Sequence, residues 1–501
     1  MYLSMAILFS LFICVTLLWI RRRKWKMTLF QRYGILGPKP NFFIGNLNEF
    51  NNGREKRIEE WLQQYGKIFG FYLGAIPYVV CADVEFLKLI QIKDNQKFYN
   101  KYWILPDAGF PHNSSRTMLS TIADQKWKNL RNTLTSCFST GKIKMMSSLM
   151  SRPINIFLKN LEKQGDRRFD IANMCKRLVF DIICTSVFGI ITDVQNNETN
   201  TFIESAHAAF STDTSDALVG ISICFPEVEP LCSFLRYKID NLKHFLNLPS
   251  WSTVYETCQK VINARKKLNQ CPQDLLQRII DAEDESNREI KKLSDRIVIA
   301  NAMMFMAAGY DTTSSTLQWC IYHLACNPEI QQKVNEEIKS NVLDDENVQY
   351  ADLGSFQLLN QVISETLRLH PLTSVVVNRL CSDDYRYKDI TIPKGSVVIV
   401  PVQVLQNDPA YWSQPEKFNP YRFSSEELQK IDSIIYQPFG AGHRICIGQR
   451  LAITILRLVL ANLLRSFKLE IYENKEYELV STFFINSPRG GTIIKATPLK
   501  A

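Results

Sequence analysis

The sequence predicts a mainly α-helical protein with small β-sheets, preceded by a transmembrane anchor helix. Three observations lead to this fold class. The first twenty residues, "MYLSMAILFSLFICVTLLWI", carry no charge, about thirty residues after Ser294 read as one long helix, and the strand-like segments are few and short. With 501 residues, 46% of them hydrophobic, the chain can also bury a large core.

Residues 1–20 form the first predicted element. As a helix they would extend over roughly 30 Å, which is the hydrocarbon thickness of a bilayer. The next six residues, "RRRKWK", hold five positive charges, whereas a cleavable signal peptide would place its charges before the apolar run. Because basic flanks stay in the cytosol, we expect an anchor over 1–20, a basic and proline-containing linker over 21–47, and one cytosolic domain over 48–501. A buried core helix is the alternative interpretation of 1–20.

Charge and composition exclude several functions. Five of the nine net positive charges lie in that basic flank, which leaves only about +4 elsewhere, too little to indicate nucleic-acid binding. The thirteen cysteines include no CxxC pair and are odd in number, which favours a reduced protein over a disulfide scaffold. The six histidines form no HxxH or HxxxH pair, which argues against a zinc hydrolase.

The remaining elements follow from hydrophobic patterning. "KIFGFYLG" and "YVVCA" read as strands on either side of Ala-Ile-Pro, and "DITIP" and "SVVIVPV" as a second pair around Lys394-Gly395. The longest helix is predicted to begin after Ser294 and to end at Asn327-Pro328, a length of about 45 Å. A strongly periodic helix is predicted from Ile447, and nearly everything else also reads as helix.

One cysteine stands apart in the stretch "PFGAGHRICIGQRLA", residues 438–452. Cys446 precedes the predicted helix, where free N–H groups and the positive end of the helix dipole stabilise a thiolate. Gly440, Gly442 and Gly448 permit a tight turn and a close approach of the backbone to a flat cofactor. A cysteine before a helix is by itself often only a small buried hydrophobe. Whether Cys446 is a metal ligand therefore depends on the neighbouring motifs.

Four further motifs accompany this loop: "WKNLR" at 127–131, "AGYDTT" at 308–313, "ETLR" at 365–368 and "FNPYRF" at 418–423. Together with FGxGxRxCxG at 439–448, they resemble the haem-thiolate monooxygenases, the cytochrome P-450 superfamily. The early "GPKPNFFIGNL" looks like that of microsomal members. "SETLRLHP" and "TIPKGSVVIVP" are most similar to the clan of the family-three drug-metabolising enzymes and thromboxane synthase.

The resemblance implies the cytochrome P-450 fold, with one haem domain, and it assigns roles to motif residues. Cys446 would donate its thiolate to the iron of haem b, Phe439 would pack near the sulfur, and Gly448 would let the cofactor approach. The implied partners of the haem propionates are Trp127, Arg131, Arg379 and Arg444. The implied structural network, which holds the cysteine loop without taking part in catalysis, comprises Glu365, Arg368 and Arg422.

The long central helix carries the expected catalytic pair. Asp311 and Thr312 provide an acid and an alcohol that can relay protons to reduced dioxygen. Gly309, one turn earlier, is expected to open a local groove in the helix. The expected substrate pocket is mostly apolar and comprises Met304, Phe305, Ala308, Val376 and Phe483.

These features predict a membrane-anchored monooxygenase that acts on a lipophilic substrate. The resemblance implies electrons from NADPH through NADPH-cytochrome reductase, with cytochrome b5 as a further partner, and a location in the endoplasmic reticulum membrane with the catalytic domain in the cytosol. Residues 219–234 can dip toward the bilayer. Two alternatives stay open: a haem-thiolate isomerase or dehydratase that acts on a peroxide without a reductase, and a non-enzymatic haem- or lipid-binding protein.

Overall fold

The structure is a computed structural model, and it confirms a mainly helical fold with small sheets. It describes residues 2–50, 53–103, 116–197, 201–210, 216–268, 274–282, 292–342, 347–372, 377–472, 479–481, 486–488 and 491–499.

The α-helices of the described residues are numbered in chain order. They are α1 (Tyr2–Met27), α2 (Leu29–Arg32), α3 (Arg54–Tyr65), α4 (Val84–Lys88), α5 (Asp124–Thr135), α6 (Thr140–Ser147), α7 (Ser151–Glu162), α8 (Ile171–Phe188), α9 (Thr201–Phe210), α10 (Ala217–Cys224), α11 (Glu229–Phe245), α12 (Trp251–Arg265), α13 (Leu275–Asp281), α14 (Asp295–Cys326), α15 (Pro328–Asn341), α16 (Gln357–Leu369), α17 (Val402–Asn407), α18 (Ser425–Leu428) and α19 (Gln449–Ser466).

The strands are short and form separate small sheets. They are β1 (Ile68–Leu73), β2 (Ile76–Cys81), β3 (Phe169–Asp170), β4 (Asn378–Leu380), β5 (Tyr385–Tyr387), β6 (Ile390–Ile392), β7 (Val397–Ile399), β8 (Phe467–Ile471), β9 (Leu479–Ser481), β10 (Asn486–Pro488) and β11 (Ile493–Pro498). The strand orders are β1-β2-β7-β4, β3-β11-β8, β5-β6 and β9-β10.

The first predicted strand pair is confirmed, and the second is corrected. β1 and β2 form an antiparallel hairpin. The segments around Lys394-Gly395 are strands, but they do not pair with each other: β6 pairs with β5, and β7 lies between β2, to which it is parallel, and β4. The fully buried Val397–Ile399 strand requires neighbours on both sides, and these come from distant parts of the chain.

The central helix α14 is confirmed at both ends. Ser294 occupies the N-cap with extended backbone, although its hydroxyl caps no N–H group, and α15 begins at Pro328. α8 packs against α14 at Gly309, where an added Cβ atom would lie 2.7 Å from the Cδ1 atom of Ile183. The glycine therefore lets two core helices approach closely, a packing role that the sequence did not indicate.

The N-terminal helix α1 is longer than the predicted anchor. It continues through the basic residues 21–27, so the first part of the predicted linker is helical. Among the described residues, it is the single helix that is long and apolar enough to cross a membrane by itself, with a mean hydropathy of 2.5. The segments Ala217–Cys224 and Pro226–Phe245 meet the same criterion only as a pair, bent by 118°.

A buried ion network ties α16 to the chain that precedes the cysteine loop. Glu365 and Arg368 are both fully buried, and their side chains meet at 2.7 and 2.8 Å. Arg422 approaches the same carboxylate at 3.3 Å from the Pro420–Phe423 turn. Arg368 also donates to the carbonyl oxygens of Gln406 and Pro415, at 2.8 and 2.7 Å. The three residues that the resemblance grouped as structural are therefore in contact.

We predict that Glu365→Gln strongly destabilises the domain. The change leaves the Arg368 guanidinium buried without an opposite charge, which costs about 3–5 kcal/mol. Glu427→Gln is the matched control, because Glu427 and Lys430 form an exposed pair at the same three-residue spacing along the chain. Thermal unfolding is the measurement. Equal midpoints for the two variants would contradict a supporting role for this network.

Candidate active site

The cysteine loop is a tight turn that presents Cys446 in front of α19. The Cys446 N–H group donates to the Phe439 carbonyl at 2.9 Å, which closes the loop. Gly442 has a φ of 70°, and a Cβ atom there would lie 2.1 Å from the Gln91 carbonyl oxygen. Glycine is therefore required at this position both by backbone conformation and by space. The helix begins at Gln449, two residues after the predicted Ile447.

The Cys446 thiol faces an internal cavity. Its side chain has accessible surface, and this surface borders the cavity. Burial raises the pKa of Cys446, whereas the N–H group of Gly448, the side chains of Lys101 and Arg131 and the N–H group of Gln449 lower it. These donors and cations are the groups that favour a thiolate when a metal is bound.

The cavity has a volume of about 420 Å³ and lies between α14 and the cysteine loop. Nearly all the residues that the sequence assigned to cofactor or substrate line it together. They are Trp127, Arg131, Met304, Phe305, Ala308, Asp311, Thr312, Arg379, Phe439, Arg444, Cys446 and Gly448. The remaining two, Val376 and Phe483, lie outside the described residues.

One side of the cavity carries the cations Lys101, Arg131, Arg379 and Arg444. Within the described ranges, no carboxylate lies within ion-pair distance of any of them, and the three arginines donate instead to backbone carbonyl oxygens, at 2.7 to 2.9 Å. Burial lowers the pKa of Arg379 to about 10. Burial, together with the neighbouring Arg379, lowers the pKa of Arg444 to about 9.

Lys101 is a site residue that the sequence analysis missed. Burial, and then the charges of Arg379 and Arg444, lower its pKa to about 7. It belongs to none of the motifs. The available signal was a lysine set among the aromatic residues Tyr99, Tyr102 and Trp103, a composition that suits a buried wall better than an exposed loop.

These residues fit a haem group. Buried cations need an anionic partner, and a cofactor with two carboxylates would supply it. The Nε atom of Arg379 is buried and has no hydrogen-bond partner within the described structure, so a donor is available on that wall. Trp127 lies under the Arg444 guanidinium, 3.5 Å from its ring centre, and holds that cation in place. On the neighbouring wall, a soft thiol suits iron.

α14 forms another part of the cavity lining. The Thr312 hydroxyl donates to the Ala308 carbonyl oxygen at 2.6 Å, and Asp311 borders the same cavity. α14 is a continuous α-helix through these positions, so the groove expected at Gly309 does not take the form of a break in the helix. Asp311 and Thr312 nevertheless line the same cavity as Cys446. Their role as a proton relay stays a prediction.

The apolar end of the cavity contains residues that no motif indicated. They are Met118, Leu119, Ile183, Val187, Trp251 and Leu275, from the segment before α5 and from α8, α12 and α13. Asn301 on α14 holds this segment: its side chain accepts from the Leu119 N–H group and donates to the Thr117 carbonyl oxygen, both at 2.9 Å. Such a contact between distant segments leaves no local sequence pattern.

The fold and this site define a haem-thiolate protein, and comparison with known proteins agrees. The family model of cytochrome P-450 matches residues 35–494, so the chain belongs to the cytochrome P-450 family. It is similar to cytochrome P-450 3A18 of Rattus norvegicus, with 30% identity over 471 residues and 93% of each chain covered.

Two further relatives support the same assignment. Cytochrome P-450 3A5 of Homo sapiens is 32% identical over 442 residues, which cover 88% of this chain and 86% of the relative. Lithocholate 6-beta-hydroxylase of Mesocricetus auratus is 32% identical over 458 residues, which cover 90% and 88%. The chain is therefore a cytochrome P-450 monooxygenase, a class that implies haem and electrons from a redox partner. The predicted similarity to the family-three drug-metabolising enzymes is confirmed.

We predict that Lys101→Met weakens haem retention. Lys101 is a half-buried donor beside the arginines, and losing one charge-assisted hydrogen bond should accelerate haem loss about ten- to a hundredfold. Lys93→Met is the control, because Lys93 lies in the preceding segment and is exposed. Transfer of haem to apomyoglobin gives the rate. Equal rates for the two variants would show that Lys101 does not hold the cofactor.

Proposed function

We propose that this chain is a membrane-anchored haem-thiolate monooxygenase. It inserts one oxygen atom of O2 into a lipophilic substrate, with electrons that NADPH supplies through a reductase. One observation carries the proposal: the Cys446 thiol, the cations without a carboxylate partner among the described residues, the Asp311–Thr312 pair and many apolar side chains all line the same cavity.

The cofactor in this proposal is haem b, held by the residues of the cysteine side. Cys446 is the thiolate ligand, with Phe439 beside it and Gly448 leaving room for the ring. Lys101, Arg131, Arg379 and Arg444 bind the two propionates, and Trp127 orients Arg444. When bound, haem supplies the binding and reduction of dioxygen, and the donors around the Cys446 sulfur tune its electron donation.

Asp311 and Thr312 serve as the proton relay. The Thr312 hydroxyl holds a proton at the cavity wall, where its bond to the Ala308 carbonyl oxygen fixes the oxygen atom. The Asp311 carboxylate is adjacent in sequence and partly exposed, so it can return a proton to the relay from the wider cavity. Neither side chain is the proposed iron ligand, so the relay does not compete with iron ligation.

Several features support a lipophilic substrate that arrives from a membrane. α1 has exposed apolar side chains along most of its length, and α11 exposes Leu231, Phe234, Leu242 and Phe245. The apolar end of the cavity has few groups that would recognise a polar compound. One relative is named for the 6-beta-hydroxylation of lithocholate. We place the chain in the endoplasmic reticulum membrane, with residues 48–501 as the cytosolic haem domain.

The proposed electron donor is NADPH-cytochrome reductase, with cytochrome b5 as a second partner. A basic surface on α5 and α6 suits an acidic redox partner and comprises Lys126, Lys128, Lys142 and Lys144. It lies close to the cysteine side of the cavity, because Arg131 on the same helix α5 donates to the carbonyl oxygen of Ile445. Electrons would therefore enter near the thiolate and away from the substrate.

The decisive experiment combines a spectrum with turnover. We predict that the purified protein, reduced under carbon monoxide, shows the strongly red-shifted Soret band of a thiolate-bound ferrous carbonyl, and that Cys446→Ser loses it. The physical reason is the electron donation that the thiolate provides. With added reductase, NADPH consumption should accompany a monooxygenated product. Survival of the band in Cys446→Ser would identify another cysteine as the ligand.

The turnover measurement also separates the alternative functions. Conversion of a peroxide substrate without reductase would indicate an isomerase or dehydratase, and the absence of both activities with an intact carbonyl band would indicate a haem- or lipid-binding protein. The presence of Asp311 and Thr312 on the cavity wall disfavours both, since neither function needs a proton relay at that position.

We predict that Thr312→Ala uncouples electron consumption from product formation. Without the hydroxyl, proton delivery is no longer ordered, so the product formed per NADPH should fall and the hydrogen peroxide formed should increase. General acid–base catalysis typically contributes about 10²–10⁴-fold, which sets the upper limit of the fall. The carbonyl spectrum should stay intact, because the hydroxyl is not the iron ligand. Asp311→Asn should slow the same step.

Thr257→Ala is the matched control for this experiment. Thr257 makes the same type of bond, from its hydroxyl to a carbonyl oxygen four residues earlier, but it lies on α12 and does not border the cavity. The control should keep the wild-type ratio of product to NADPH. An unchanged ratio in Thr312→Ala itself would remove this residue from the mechanism.

A further inference from the structure

Arg23 differs from the other basic residues at the end of α1. Arg22 and Lys24 are exposed, whereas only 2% of the surface of Arg23 is exposed. Its guanidinium donates to three backbone carbonyl oxygens: Phe42 at 3.0 Å, Phe43 at 2.6 Å and Cys224 at 2.6 Å. One side chain therefore joins α1, the loop that follows α2, and the last residue of α10.

We name the contact between Arg23 and the carbonyl groups of Phe42, Phe43 and Cys224 the Arg23 clamp. Aromatic rings surround it. The ring of Trp19 packs edge-on against Phe42 at 5.9 Å and stacks with Phe225 at 6.2 Å. The guanidinium lies 5.6 Å from the centre of the Phe225 ring. Because these rings keep water away, the charged hydrogen bonds are stronger than they would be on an open surface.

The clamp holds the C-terminal end of α10 from one side, while a strand turn holds it from the other. Helix ends leave carbonyl groups without partners, and here Arg23 binds that of Cys224 and the Ala75 N–H group binds that of Ile223, at 3.1 Å. Ile223 packs in the same apolar cluster as Trp103, which lines the active-site cavity. The Arg23 clamp is therefore connected, through Ile223, to an apolar cluster that reaches the lining of that cavity.

We propose that Arg23 is a positioning residue that locks the anchor helix to α10 and so fixes the tilt of the haem domain against the lipid surface. The orientation of the domain decides which cavity wall faces the bilayer, and hence the side from which a lipophilic substrate enters. This inference rests on the membrane anchor of the proposed function, and it assigns one residue to coupling the anchor with the catalytic domain.

Arginine is needed for the clamp because the three carbonyl groups lie in different directions. A guanidinium places several N–H donors in a rigid fork, whereas a lysine offers one ammonium group and cannot reach all three oxygens. If Arg23 served only as one more basic residue beside the membrane surface, lysine would replace it without effect. The comparison of Arg23→Lys with wild type therefore separates geometry from charge.

The test uses the full-length haem-loaded protein in phosphatidylcholine bilayers. Wild type, Arg23→Lys, Arg23→Gln and the control Arg22→Gln are compared, since Arg22 is the exposed neighbour with the same charge. Polarised absorption of oriented bilayers gives the tilt of the haem plane, and hydrogen exchange reports on residues 41–46 and 217–225. The carbonyl spectrum shows that each variant retains a native haem site.

We expect both Arg23 variants to lose the defined haem tilt and to exchange amide hydrogens in these two segments about tenfold faster or more, because a charge-assisted bond is lost at each. Arg22→Gln should match wild type in both measurements. If Arg23→Gln does not keep its carbonyl band, Arg23→Lys alone is compared with wild type.

Wild-type exchange and tilt in Arg23→Lys would overturn the clamp and leave Arg23 as an ordinary basic flank. Wild-type protein without any preferred haem tilt would instead contradict the membrane anchor in the proposed function. In that case exchange in residues 217–225 still decides whether Arg23 holds α10, since the exchange measurement does not depend on orientation.

Discussion

The positive charge on one wall of the cavity is the constraint on which the rest of the site depends. Lys101, Arg131, Arg379 and Arg444 lie close enough for each to affect the pKa of another, and among the described residues no carboxylate forms an ion pair with them. Burying such charges is unfavourable unless an anion compensates them. A dianionic cofactor, which the proposed function supplies, would compensate these charges.

The Cys446 thiol must instead be stabilised in its negatively charged form. Cys446 needs N–H donors and cations near its sulfur to favour the charged form, yet burial works against that form. The glycine-rich turn meets both conditions, because Gly442 lets the loop pass against the Gln91 carbonyl oxygen and α19 begins just beyond the sulfur. Glu365, Arg368 and Arg422 hold the chain that leads into this loop, and so a buried ion network far from the sulfur supports its position.

The residues that line the cavity fall into two groups with different chemistry. The cysteine loop and its neighbours contribute the thiol and the cations that would hold the cofactor, whereas α14 contributes Asp311, Thr312 and apolar side chains. α14 is continuous, and Gly309 lets it pack closely against Ile183 of α8. Rigid support of this kind suits a relay whose proton must arrive at a defined atom. The Arg23 clamp similarly joins α1 to α10.

Local sequence determined much of this protein. The apolar run of α1, the length of α14 with its end at Pro328, and the cysteine loop could all be predicted, because each depends on neighbouring residues and on backbone preferences. The motif residues that line the cavity were identified through resemblance to a known family. Their grouping around one cavity then followed from the fold.

Only the tertiary structure decided the contacts between distant segments. β7 pairs with β2 rather than with its neighbour β6, Lys101 joins the arginines without belonging to a motif, and Asn301 holds the segment around Leu119. In the sequence, Arg23 is one of five basic residues in the flank after the apolar run. In the structure it is buried, because the Cys224 carbonyl, 201 positions later, lies within hydrogen-bond distance. Such contacts have no local signature, because burial and hydrogen bonding are set by whichever elements the folded chain brings together.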